Sequence, residues 1–352
     1  MKTSTFNIDQ FIRPSIKQLK PYTSARDEYK DLTENMCFLD ANENPYENGV
    51  NRYPDPQQSS LKLVLSDLKK CPIDNILLGN GSDEVLDLVF RAFCEPKQDN
   101  VITLPPTYGM YEVLANLNAV EVKQIPLSNN FQPNVEEVLA IQNKYSKLLF
   151  LCSPNNPTAN SFDKDKVVAL IKNFSGIVVI DEAYIDFSEE ESWLSRLDEF
   201  PNLIVTQTLS KAYGMAGIRL GMCFASSEII SVLNKIKPPY NINTLTQQKA
   251  VYQLSDSQCY NDQIKTLKTQ RNVLNKALKT INFIEVIYPS DANFLLVKVD
   301  DASKRYQQLV DLGMVIRNRT KQLHCENCLR ITVGTPEENK KLIATLVLIS
   351  KS

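Results

Sequence analysis

Glycine is scarce. The 352-residue chain has ten, against about twenty-five at ordinary usage, so their placement carries information. Six fall in three short stretches: Gly79 and Gly81, then Gly109, then Gly214, Gly217 and Gly221. Glycine is used where backbone turns tightly or approaches a ligand. His324 is the only histidine; a Ser-His-Asp triad would have to use it, and no GxSxG elbow is present, which disfavours a hydrolase. Long apolar runs are missing too. Leu148 to Cys152 and Ile177 to Ile180 fall far short of the roughly 20 residues of a membrane span. The segment Met1 to Gln18 is polar and lacks a signal peptide's apolar core. A net charge of −2, with 39 basic against 41 acidic residues, gives no basic footprint for nucleic acid. The eight cysteines form no disulfide-like framework, which suits reduced thiols and a cytoplasmic protein. His324-Cys325-Glu-Asn-Cys328 puts three metal-ligand types together, but no second pair follows at zinc spacing. It reads as ordinary thiols before a strand, and no metal is expected.

What is present is an alternation of short apolar runs with amphipathic stretches, the pattern of an α/β protein with a largely parallel sheet. Ile76 to Leu78, Val101 to Leu104, Leu148 to Cys152, Ile177 to Ile180 and Leu203 to Thr206 read as buried strands. They are continuously apolar, as strands covered on both faces should be. Helices are expected at Ser82 to Phe93, Tyr108 to Leu117, Val135 to Gln142 and Lys164 to Asn173. Further on, Phe283 to Ile287, Phe294 to Val299, Val315-Ile316 and Leu329 to Val333 read as strands, interleaved with helices near Ser303 to Asp311 and Glu337 to Ser350. A long helix near Asp256 to Thr280 precedes them. The expected division is a large domain, residues 45–280, and a smaller α+β domain from residues 1–44 and 281–352.

Each of these five consecutive strand ends carries polar, aromatic or glycine residues: Gly79-Asn-Gly81-Ser82, Pro105-Pro-Thr-Tyr108-Gly109, Ser153-Pro-Asn-Asn156-Pro157, Asp181-Glu-Ala-Tyr184 and Gln207-Thr208-Leu-Ser210-Lys211. Open α/β sheets bind ligands outside the carboxyl ends of their strands, so one shared cleft is the economical explanation. Lys211, just past an apolar strand and eight residues before Arg219, suits a Schiff-base lysine beside a phosphate clamp, which points to pyridoxal phosphate. A buried carboxylate at Asp181 would keep that ring protonated; on position alone, it serves equally as a helix N-cap. Asn156 and Tyr184 are placed for the ring hydroxyl, although the first also suits a plain turn and the second a core aromatic. Tyr108 suits stacking on the ring or simple packing. The helix opened by Ser82-Asp83-Glu84 offers backbone N–H groups to a phosphate, with Thr208, Ser210 and Arg219 completing the clamp. The two acidic side chains would have to turn away.

These segments, with Leu19-Lys-Pro-Tyr22-Thr-Ser-Ala-Arg26, Leu39-Asp-Ala-Asn-Glu-Asn44-Pro45, Arg52-Tyr53-Pro54-Asp55 and Arg330-Ile-Thr-Val-Gly334, resemble the fold-type I aminotransferases over nearly the whole chain. The resemblance implies a large domain with a mostly parallel central sheet flanked by helices, a smaller α+β domain, and pyridoxal 5'-phosphate as cofactor. Residue by residue, it implies that Lys211 takes the cofactor's aldehyde and shuttles the proton, Asp181 pairs with the ring nitrogen, and Asn156 and Tyr184 contact the 3-hydroxyl. Tyr108 stacks on the ring; Ser82 and Asp83 (through backbone), Thr208, Ser210 and Arg219 hold the phosphate. Tyr53 would reach the phosphate of a neighbouring subunit, which implies a homodimer with shared sites. Tyr22, Arg317 and Arg330 would bind substrate. The implied reaction is amino transfer between L-histidinol phosphate and 2-oxoglutarate, giving imidazole acetol phosphate and L-glutamate. The rivals are aromatic transamination, threonine-phosphate decarboxylation and a regulatory protein on the same scaffold. Ala159 departs from the glycine usual after Asn-Pro-Thr, and positive φ there would be strained.

Overall fold

In the computed structural model of the chain, residues 6–22 and 37–351 are described. Arg26 lies outside them. A larger sheet is built from β1 (Ile76–Asn80), β2 (Asn100–Thr103), β3 (Glu121–Gln124), β4 (Ser146–Cys152), β5 (Ile177–Asp181), β6 (Leu203–Thr208) and β7 (Leu220–Ala225). Its order is β1-β7-β6-β5-β4-β2-β3. The pairs β2–β3, β2–β4, β4–β5 and β5–β6 are parallel, whereas β7 is antiparallel to both β1 and β6. The five apolar runs are all strands. The two strands without a sequence signal are β3, a polar edge strand, and β7, whose Gly221 reads first as part of a ligand loop.

Period two along the central strands sorts side chains into two cores. Ile177 and Val179 of β5, with Leu148 and Phe150 of β4, face the helices Gly81–Phe93, Met110–Leu117 and Ser227–Ile236. Val178 and Ile180, with Leu149 and Leu151, face the opposite layer, which includes helices Ser59–Lys69, Lys164–Asn173 and Thr244–Leu254. The four apolar residues of β5 are fully buried, each contributing about 1.5–3 kcal/mol. Helices in both layers start on side-chain caps: the Asp163 carboxylate accepts from Asp165 and Lys166 N–H, and Ser226 Oγ from Ile229 N–H. Such a cap is worth about 1 kcal/mol.

A second, antiparallel sheet follows: β8 (Ile284–Ile287), β9 (Phe294–Val299), β10 (Arg317–Asn318) and β11 (Cys328–Thr332), in the order β10-β11-β9-β8. One strand expected at Val315-Ile316 instead lies at Arg317–Asn318, because pairing with β11 fixes its register. Leu295, Val297, Leu329 and Ile331 pack on one side with Leu342 and Leu346 of helix Pro336–Lys351. Phe294, Leu296 and Cys328 belong instead to a core shared with the larger sheet. Helix Ser257–Leu278 bridges the two, with Tyr260 in the shared core and Leu274 and Leu278 in the other.

Phe6, Ile8, Phe11, Ile12 and Ile16, grouped by the sequence with the C-terminal unit, pack against the core of the larger sheet. Arg13 fastens them there, its N–H donating to Ala92 O at 3.0 Å and its Nη1 to Arg91 O at 3.0 Å.

Candidate active site

Parity decides where Asp181 points. It ends β5 on the face of Ile177 and Val179, directly opposite Cys152 in register. There Tyr111, fully buried, donates its O–H to Asp181 Oδ2 at 2.8 Å, and Ala183 N–H donates to Oδ1 at 3.1 Å. Burial pushes the carboxyl above its ordinary range, while these hydrogen bonds draw it back. Its hydrogen-bond donors among the described residues are a phenol and a backbone amide, and no described cation forms an ion pair with it.

Lys211 follows β6 by three residues, in a turn closed by Gly214 N–H on Lys211 O at 3.2 Å. Its Nζ lies 5.7 Å from the centre of the Tyr184 ring. Burial, then Arg330 and Arg219, lower the ammonium's pKa against the opposing pull of Asp181 and Asp83. Tyr184 packs edge-on to Phe294 at 5.1 Å. Asn156 is buried after the strand β4, and its Oδ1 accepts from Arg330 Nη1 at 2.6 Å. With that oxygen engaged, its amide Nδ2 is the group left to donate. The adjacent Asn155 pins the loop by donating to Pro106 O and Thr158 Oγ1.

On the other wall, helix Gly81–Phe93 begins where β1 ends. Gly81 N–H donates to Arg219 O at 2.8 Å. A Cβ on Gly81 would fall 2.6 Å from Arg219 Nη2, and one on Gly221 2.3 Å from the Gly81 carbonyl carbon. Close approach to backbone therefore requires glycine at 221, whereas at 81 the neighbour is a flexible side-chain end and the positive φ of 74° is what favours glycine. Thr208 Oγ1 accepts from Ser210 N–H at 3.1 Å and donates to Leu220 O at 3.2 Å, holding the Ser210 turn beside the helix terminus. The Glu84 carboxylate turns away from this opening, accepting from Asn80 N–H and Asn241 Nδ2. Asp83 does not turn away. Its carboxylate accepts the Tyr108 O–H at 3.0 Å and lies 3.8 Å from Arg219 Nη2.

Ser82, Asp83, Tyr108, Asn156, Asp181, Tyr184, Thr208, Ser210, Lys211 and Arg219 thus line one cavity, joined by Cys152 and Ala183. Arg330 reaches it through Asn156. Tyr53 lies elsewhere, half-exposed and stacked on Tyr240 at 4.5 Å, on wider grooves of about 440 and 660 Å³. Tyr22 is 75% exposed, and Arg317 is exposed on the edge strand β10. Sequence alone does not mark Tyr111, in the first turn of the helix that follows Tyr108, or Cys152, the register partner of Asp181. Nor does it mark Arg319, two residues beyond Arg317. A primary amine, an anion-binding helix terminus with a guanidinium, and a buried carboxylate lacking a cation make a donor set suited to a phosphorylated aldehyde on a protonated ring.

The profile of the family described as Aminotransferase class I and II matches residues 26–346. The chain belongs to that family. It is 61% identical over 348 residues to a histidinol-phosphate aminotransferase from Flavobacterium johnsoniae, covering 99% of this chain and 100% of that one. Its fold is that of the histidinol-phosphate aminotransferase from Clostridium acetobutylicum, at a TM-score of 0.79 and 23% identity, over 86% of this chain and 91% of that one. The Sinorhizobium meliloti enzyme of the same name, solved in complex with pyridoxal-5'-phosphate, gives a TM-score of 0.77 at 24% identity, covering 85% and 83%. This aminotransferase therefore has the fold-type I architecture, and among its described residues no helix is long and apolar enough to cross a membrane.

Proposed function

We propose that this aminotransferase interconverts L-histidinol phosphate and 2-oxoglutarate with imidazole acetol phosphate and L-glutamate, using pyridoxal 5'-phosphate. Full-length identity of 61% to a relative of that name supports the substrate; the convergence of Lys211, Asp181 and Arg219 on one cavity supports the chemistry. When bound, the cofactor supplies an aldehyde that condenses with amines and a ring that draws electrons from the substrate carbon. Lys211 Nζ would hold that aldehyde and, as a free amine, would take the proton from the substrate carbon and return it, a task that its lowered pKa suits. Asp181, paired only with neutral donors, keeps a ring N–H in place. The Asn156 amide and Tyr184 O–H orient the ring hydroxyl, and Tyr108 covers the ring. The N–H groups of Ser82 and Asp83, with Thr208, Ser210 and Arg219, hold the phosphate, while Tyr22, Arg317 and Arg330 receive substrate.

A homodimer completes the site in this proposal, with Tyr53 serving the neighbouring subunit. Tyr46, Tyr53, Leu245 and Tyr252 leave more than half their surface exposed, and Tyr53, Leu245 and Tyr252 border the wide grooves; covering such area suits a second copy. The scatter of cysteines favours the cytoplasm.

The Lys211→Ala variant tests the amine. Glutamate-dependent conversion should drop below detection, and borohydride treatment should fix no cofactor to the chain; retained turnover refutes the role. Comparing kcat/KM for histidinol phosphate, phenylalanine and threonine phosphate tests the substrate, with the first expected to lead.

A further inference from the structure

The second sheet carries a cationic cluster that the site's described partners do not neutralise. Arg317 lies directly opposite Arg330 in register. Arg319 extends the ladder one step further, its N–H donating to Cys328 O at 2.8 Å. Cross-strand partners share a face and alternate residues repeat it, so Arg317, Arg319 and Arg330 project from one side. That side is also the side of Leu296 and Phe294, register partners of Arg330 and Thr332, which belong to the core shared with the larger sheet. Arg330, bonded to Asn156, shows that it looks onto the cofactor cavity.

Among the described residues, no carboxylate pairs with any of the three. The Nε atoms of Arg319 and Arg330 are buried and have no hydrogen-bond partner among the described residues. Each of these two guanidinium groups is disfavoured by burial and by the charge of its arginine neighbours, and the Tyr184 hydroxyl is the shared group that offsets it. Buried donors and like charges are costly unless an anion meets them. A side-chain carboxylate presents two oxygens and one charge, which one or two arginine forks satisfy. A phosphate monoester presents three terminal oxygens and up to two charges.

We infer that Arg319 completes a three-arginine subsite for the phosphate of the phosphorylated substrate, and that it sets the preference for phosphate over carboxylate. The inference rests on the proposed reaction, but its test separates the two. In holoenzyme Arg319→Gln, the ratio of kcat/KM for histidinol phosphate to that for glutamate should fall roughly ten- to hundredfold, the range expected for a lost charge-assisted bond. The inhibition constant of inorganic phosphate, competing in the glutamate half-reaction, should rise by a similar factor. An unchanged ratio, or an unchanged constant for phosphate, overturns the inference. Should Arg319→Gln not fold, Arg319→Lys keeps the charge and loses the fork; the phosphate constant should still rise several-fold, and no rise overturns the inference. If wild-type protein does not convert histidinol phosphate, the proposed reaction falls, while phosphate competition still decides the role of Arg319.

Discussion

Asp181 shows at the scale of one residue how the site trades stability for function. Its carboxyl is raised by burial, so the folded chain binds a proton there at pH values where the unfolded chain has released it. Stability from this group is therefore full below the unfolded value near 4 and is lost as pH rises through the folded pKa. Asp181→Asn should flatten that part of the pH profile, making the apoprotein more stable than wild type at neutral pH in urea titrations. The same change should cut turnover by on the order of 10²-fold or more, as expected for removal of one fixed charge from a buried site. A variant apoprotein no more stable than wild type would contradict the account of the burial. Ala159 is strained as expected, with φ of 69°, yet the strain need not be selected against. An αL alanine costs about 1–2 kcal/mol; glycine there would cost about 0.5–1 kcal/mol in chain entropy and forfeit a buried methyl worth about 0.8 kcal/mol. The terms nearly cancel, so alanine is tolerated.

At the scale of elements, the closest joint is that between β7 and the start of helix Gly81–Phe93. Gly221→Ala would drive a methyl into backbone at 2.3 Å, and backbone cannot swing aside as a side chain can. The helix terminus and Arg219 must then separate. Stability should fall by about 1–3 kcal/mol and cofactor affinity with it, measured by thermal denaturation and by titration of the apoprotein; unchanged affinity would show that this joint does not shape the anion site. Most of this architecture was readable in the chain. Five continuous apolar runs announced the strands of the larger sheet because both faces are covered, and polar residues at their ends announced the cavity. What stayed hidden depends on pairing. The antiparallel β7 has no local signal that distinguishes it from its parallel neighbours. Cys152 meets Asp181 only through register, and Arg319 joins Arg317 and Arg330 only because β10 pairs as it does. Asp83 was read as a backbone donor; its carboxylate is engaged because Tyr108 and Arg219 approach it from two other elements.

At the scale of the whole molecule, the question is whether one chain holds a complete site. Tyr53 stands apart from the cavity, against Tyr240 on the rim of the wide grooves. If Tyr53 serves the neighbouring subunit, then damage at Tyr53 and damage at Lys211 fall in different sites of one mixed dimer. Tyr53→Ala and Lys211→Ala homodimers should each be weakly active or inactive. When they are unfolded together and refolded as a mixture, half the dimers should pair one of each. In those, one site has both lesions and the other has none. Recovered activity should therefore approach about a quarter of wild type by random pairing. A chain that carried its own Tyr53 would behave otherwise: each site would keep its single lesion, and mixing would return only the average of the two variants. The same measurement distinguishes exchange from independent folding, because mixing the folded variants without unfolding should recover activity only as fast as subunits exchange.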